Sequence, residues 1–149
     1  MTTIAYRSGV LAADTLIAYN TITNGERDKI ERCGDYLVAM AGVTWVRPIL
    51  EEWVRAGCDP NEVPEQLLDN QDKFAALIVA PNGLAHEFDS GYLVPVHADY
   101  TAIGSGALIA MGAMAHGATA EEAVMAASRH DKATGGPVTA HKVEGLPCT

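Results

Sequence analysis

The sequence predicts an α+β fold of antiparallel sheet layers covered by helices. The order of elements is the first reason: strands, one helix, strands, two helices and a closing strand, rather than alternating βαβ units. Paired turn signals are the second, with Ser8-Gly9 between two short apolar runs and Gly34-Asp35 between two more. Size is the third, since 149 residues with 48% hydrophobic content suit a single domain spanning residues 1–149 whose core needs no covalent staples.

Taken in order, Thr3 to Arg7 and Val10 to Ala13 read as strands joined at Ser8-Gly9. Lys29 to Cys33 is a weaker strand and Tyr36 to Ala41 a stronger one, ended by Gly42. From Val43 to Gly57 the apolar positions Val46, Ile49, Leu50, Trp53 and Val54 recur at helical spacing, with Glu51, Glu52 and Arg55 on the other face. Pro48 falls near the start of that helix, where proline is tolerated. Asp59 to Asn70 adds a short helix, and Phe74 to Ala80 reads as a buried strand closed by Pro81-Asn82-Gly83. Leu84 to Phe88 and Tyr92 to Val96 continue the sheet. Ala107 to His116 is a helix rich in small residues. Thr119, with Glu121 and Glu122 behind it, has the form of an N-cap and capping box for a second helix running to about Lys132. Gly135-Gly136 breaks that helix, and Pro137 to Val143 supplies the last strand.

Charge and cysteine usage exclude several classes of function. Nineteen acidic against ten basic residues give a net charge of −9, with no basic stripe to meet a phosphate backbone, so no nucleic acid partner is expected. Cys33, Cys58 and Cys148 are odd in number and far apart, which fits a reducing cytoplasm rather than a disulfide framework or a zinc site. No stretch approaches eighteen uninterrupted apolar residues, and the first residues lack a secretory pattern, so no membrane association is expected. The five histidines have no metal-ligand spacing, and neither metal nor cofactor is expected. Gly104-Ser105-Gly106 has Ile109 where a dinucleotide fingerprint needs its third glycine, and no serine lies within G-x-S-x-G.

The specific signal lies in short segments read together: Met1-Thr2-Thr3-Ile4, Gly9 to Asp14, Asp28-Lys29-Ile30, Met40-Ala41-Gly42, and Ile103 to Gly106 with Asp131 to Gly136. In this order they resemble the β-subunits of proteasomes and the HslV-type peptidases, members of the N-terminal nucleophile hydrolases. The resemblance runs from Thr2 to about Val143, is loose in the middle third, and rests on order and spacing rather than on any one piece. It implies a four-layer αββα sandwich that assembles into a homo-oligomeric ring and hydrolyses peptide or unfolded-protein substrates, with an ATP-driven unfoldase as a further partner. The segment between Gly42 and Phe74 is shorter than the two long helices of that family, which bears on ring size and stacking.

The resemblance also assigns residues. Thr2 would be the nucleophile once Met1 is removed, because a hydroxyl needs a base within reach, and the α-amine of a first residue, with a pKa of about 8, serves as one. Lys29 would lower that pKa and Asp14 would hold Lys29. Gly42 would supply an oxyanion-hole N–H, and Ser105, Asp131 and Thr134 would position the amine. Read without the resemblance, Asp14 and Lys29 are charges at strand ends. Gly42, Ser105, Asp131 and Thr134 are then residues of a turn, a helix start, a helix end and a turn. Three other functions stay open: a small-molecule amidase using Thr2, an inactive structural relative retaining Met1, and a nucleotide-binding module around Gly104 to Gly106.

Overall fold

A computed structural model describes residues 2–19 and 22–143; Met1 and Cys148, which enter the sequence expectations, lie outside the described residues. The strands are β1 (Thr3–Arg7), β2 (Val10–Ala13), β3 (Leu16–Tyr19), β4 (Ile22–Glu26), β5 (Ile30–Cys33), β6 (Tyr36–Gly42), β7 (Phe74–Val79), β8 (Ala85–Asp89), β9 (Tyr92–Pro95), β10 (Tyr100–Gly104) and β11 (Thr139–Lys142). The helices are α1 (Arg47–Arg55), entered through a 3₁₀ turn at Thr44–Val46, α2 (Glu65–Asp69), α3 (Ala107–Ala115) and α4 (Ala120–His130).

Among the described residues two antiparallel sheets form the middle of the molecule, one in the order β10-β1-β2-β11 and the other β5-β6-β7-β8-β9. Alternation along each strand explains the layering, because successive side chains leave a sheet on opposite faces. Ile4, Tyr6, Leu11 and Ala13 of the first sheet meet Leu37, Ala39, Ala41, Leu77 and Val79 of the second, forming the inter-sheet core. The opposite face of the second sheet, with Val38, Met40, Ala76 and Ile78, packs on Val46, Leu50, Trp53, Val54 and Leu67 of the α1–α2 layer. Behind the first sheet, Ala5 and Ala12 meet Ala110, Met114, Ala120, Ala123 and Val124 of α3 and α4. Alanines on that face leave room for two helices to lie close against the strands. The result is the αββα sandwich.

Local chemistry sets the element ends. Ser8 and Gly9 have φ of 52° and 79°, the pair of positive values that a two-residue type I′ hairpin needs between β1 and β2. Thr119 accepts from the Glu122 N–H while the Glu122 carboxylate accepts from the Thr119 N–H, the predicted capping box at the start of α4. The helix expected from Val43 divides into a 3₁₀ turn and α1, so that Trp45 is exposed and Trp53 is buried. Three strands, β3, β4 and β10, were not predicted. No helix among the described residues is long and apolar enough to cross a membrane.

Candidate active site

Thr2 stands just before β1 and is 5% exposed. Its hydroxyl Oγ1 accepts a hydrogen bond from Lys29 Nζ. Lys29 precedes β5 in the other sheet, so this contact spans the two sheets at their edge. Lys29 Nζ also lies 3.0 Å from Asp14 Oδ1, with the carboxylate fully buried at the end of β2. Asp14 is fixed in turn by the Thr3 N–H on Oδ1 at 3.0 Å and the Gly135 N–H on Oδ2 at 3.1 Å. A buried carboxylate needs such donors and a cation to remain charged.

Burial pulls the Lys29 ammonium below its usual range; the Asp14 carboxylate opposes this, and the Arg47 guanidinium adds to the lowering by repulsion. Desolvation therefore prevails over the ion pair. A lysine poised in this way places a cation, or a proton donor, directly on a threonine hydroxyl.

A second cluster stands on the other side of β1. Asp131, at the end of α4, accepts from Ser105 Oγ at 2.5 Å and Thr134 Oγ1 at 2.6 Å on Oδ2, and from the Ala133 N–H at 3.2 Å on Oδ1. Partial burial raises its pKa, but these donors outweigh it and hold the carboxyl below the ordinary aspartate value. Thr134 gives its proton to Asp131, so the 2.7 Å contact between Thr134 Oγ1 and Thr3 Oγ1 has Thr3 as donor. Ser105 Oγ also lies 3.5 Å from the Thr2 carbonyl oxygen. The chain of Thr3, Thr134, Asp131 and Ser105 thus runs from the Thr3 hydroxyl to the carbonyl of Thr2.

Close packing makes glycine necessary here. A Cβ on Gly104, where φ is 97°, would stand 1.9 Å from the Thr2 carbonyl oxygen, and one on Gly106 would stand 2.0 Å from Thr3 Oγ1. Gly42 ends β6 with φ of 110°, and a Cβ there would lie 2.3 Å from the Lys73 carbonyl oxygen. Gly42 pairs with Phe74, and the Val43 N–H bonds the Lys73 carbonyl. In an antiparallel ladder, neighbouring residues alternate in the side to which they turn their N–H. The Gly42 N–H therefore turns from β7 toward the side of β6 where Lys29 leads into the start of β5.

Six of the seven residues proposed from sequence, Thr2, Asp14, Lys29, Ser105, Asp131 and Thr134, are thus tied together by hydrogen bonds, while Gly42 ends β6, the strand paired with β5. Thr3, Gly104, Gly106, Gly135 and Arg47 were not among the residues given roles in the site. Thr3 read as an ordinary first strand residue, and the separation of Arg47 from Lys29 in sequence conceals their electrostatic contact. A concavity of about 450 Å³ lies elsewhere, on the outer face of α1 among Pro48, Ile49, Trp53 and Pro64.

No protein-family model matches the chain, and no curated protein matches its sequence significantly. Solved structures do match in shape. BPH of Thiobacillus denitrificans is similar with a TM-score of 0.72 and 22% identity over 97% of this chain and 99% of that one. The same protein in complex with epoxomicin gives 0.71 and 22% over 96% and 98%. Eukaryotic HslV from Trypanosoma brucei gives 0.69 and 18% over 94% and 97%. Layer order and near-complete overlap with these structures together give this chain the fold of BPH and HslV, the αββα sandwich that the resemblance to N-terminal nucleophile hydrolases implied.

Proposed function

We propose that this chain is a threonine peptidase subunit of a proteasome-like ring, with Thr2 as nucleophile after removal of Met1. The observation that carries the reading is the Lys29 ammonium on the Thr2 hydroxyl, backed by buried Asp14. Once Thr2 is first, its α-amine takes the hydroxyl proton as Oγ1 attacks the peptide carbonyl, and Lys29 lowers the amine pKa and stabilises negative charge on Oγ1. The Gly42 N–H meets the developing oxyanion, an interaction commonly worth about 2.7–4 kcal/mol. The proton passes to the leaving amine, an ester forms on Oγ1, and water activated by the same α-amine hydrolyses it. Ser105, Asp131 and Thr134 hold the segment carrying that amine. The substrate is an unfolded or short peptide, and an ATP-driven unfoldase is the natural supplier of extended chain to a ring interior.

Intact mass of the purified protein, with and without epoxomicin, tests this. Loss of Met1 followed by one added inhibitor mass on Thr2, absent from Thr2→Ala, is expected. A chain that loses Met1 yet takes up no inhibitor and cleaves no fluorogenic peptide would overturn the mechanism. Native mass spectrometry tests the ring separately, and a stable monomer would count against it.

A further inference from the structure

Arg47, the first residue of α1, is 6% exposed, yet its guanidinium is incompletely used. Nε donates to Glu51 Oε1 at 2.6 Å, while Nη2 is buried with no acceptor among the described residues. Buried guanidinium nitrogens are normally bonded, so an unmet one calls for an explanation. The helix start around it is equally short of acceptors: Val46 provides no side-chain cap, and the first turn of α1 has no acidic residue. Aligned N–H groups at a helix start favour an anion as well.

Register places this unmet donor on the same face of the second sheet as Lys29, the partner of Thr2. Ile30 opposes Ala39, which puts Lys29 opposite Met40, and Met40 faces the α1 layer with Val46 and Leu50. Strand alternation then brings Lys29 out on the same face of the sheet as Arg47. Arg47 is felt electrostatically both by Lys29, before β5, and by Cys33, at its far end. Only Val43 and the 3₁₀ turn separate Gly42 from Arg47, so the proposed oxyanion donor and the start of α1 flank the same end of β6. Of the carboxylates there, Asp14 is committed to Lys29 and Glu51 to Nε, while Glu31, between Lys29 and Cys33, is exposed to solvent.

We propose that Arg47 is a specificity-determining residue, whose Nη2 receives the carboxylate of an acidic substrate side chain on the residue whose carbonyl Thr2 attacks. This deepens the peptidase reading and rests on it. A charge-assisted bond from a guanidinium favours a carboxylate over the isosteric amide, so glutamate should be discriminated from glutamine.

Equilibrium binding to Thr2→Ala protein tests this apart from catalysis. The probes are acetylated, C-terminally amidated hexapeptides that are neutral except for one central Glu, their Gln counterparts, and the Gln peptide with a free C-terminal acid. The Glu peptide should bind at least about ten-fold more tightly than the Gln peptide. Adding Arg47→Met should reduce that ratio to within about two-fold, and Arg47→Lys should keep part of it. Because Arg47→Met leaves Glu51 unmatched, the Arg47→Met/Glu51→Gln pair is measured too, with melting curves confirming that each variant folds. Equal affinity for Glu and Gln, discrimination surviving in both methionine variants, no binding by any peptide, or tight binding by the free-acid Gln peptide alone would each overturn the proposal. Epoxomicin adduct formation reports separately on Thr2, so a failed adduct with intact Glu preference refutes the mechanism and leaves the anion site standing.

Discussion

At the residue scale, the site depends on a lysine and an aspartate that cannot be removed singly without cost. Asp14 is fully buried and Lys29 nearly so, and deleting one partner of a buried pair strands the other charge, typically at about 3–5 kcal/mol. Asp14→Asn and Lys29→Met should each lower stability by that order in urea unfolding, and the double variant should lose clearly less than the sum. An additive double variant would show that the pair is not coupled. Asp131 gives a second expectation, with its sign set by the lowered pKa. Its contribution is fully present above about pH 3.8, where the unfolded aspartate is ionised, and is lost as pH falls toward the lower folded value. The stability difference between the native chain and Asp131→Asn should be flat from pH 7 to pH 5 and shrink on acidification toward pH 3. A difference that grows on acidification would mean that Ser105 and Thr134 do not stabilise the ionised form.

At the scale of elements, the sequence is legible where a backbone need forces a residue choice and obscure where tertiary pairing alone decides. Ser8-Gly9 and Thr119 with Glu122 reveal themselves because a tight hairpin and a helix start each require particular side chains. The β3–β4 hairpin carries little such information: its register shifts between Ile17 and Ala18, and its exposed Ile22 belongs to no buried face. β10 is hidden differently, since Tyr100 to Gly104 becomes a strand by lying along β1, almost a hundred residues earlier in the chain. The candidate site residues were proposed from the resemblance that order and spacing carry, which says nothing of the Thr3 to Thr134 bond or the buried Arg47. Gly42 could be read as a turn from sequence alone, whereas the structure gives it a positive φ and backbone contact with β7. Gly42→Ala should therefore lower the melting temperature substantially, by the strain of φ and the clash with Lys73 and Phe74. An alanine variant that melts with the native chain would mean that the β6–β7 approach relaxes freely.

At the scale of the whole molecule, the candidate nucleophile and its lysine belong to different sheets, Thr2 to the edge of β1 and Lys29 to the edge of β5. Their contact is therefore held by whatever fixes one sheet on the other, which is the inter-sheet core around Leu11, Leu37 and Leu77. The outer core around Leu50 clamps α1 to one sheet and leaves the spacing between sheets alone. Leu77→Ala and Leu50→Ala both remove a fully buried leucine and should each cost about 2–5 kcal/mol. Equal losses of stability need not have equal consequences. A cavity between the sheets lets them shift against each other, because packed interiors transmit displacement, and the Lys29 to Thr2 contact lies across that seam. Under conditions where both variants are fully folded, Leu77→Ala should slow epoxomicin acquisition at Thr2 several-fold more than Leu50→Ala. Matching rates in the two variants would show that the edge contact is fixed locally, by Asp14 and the Thr3 and Gly135 N–H groups, rather than by the packing of the sandwich.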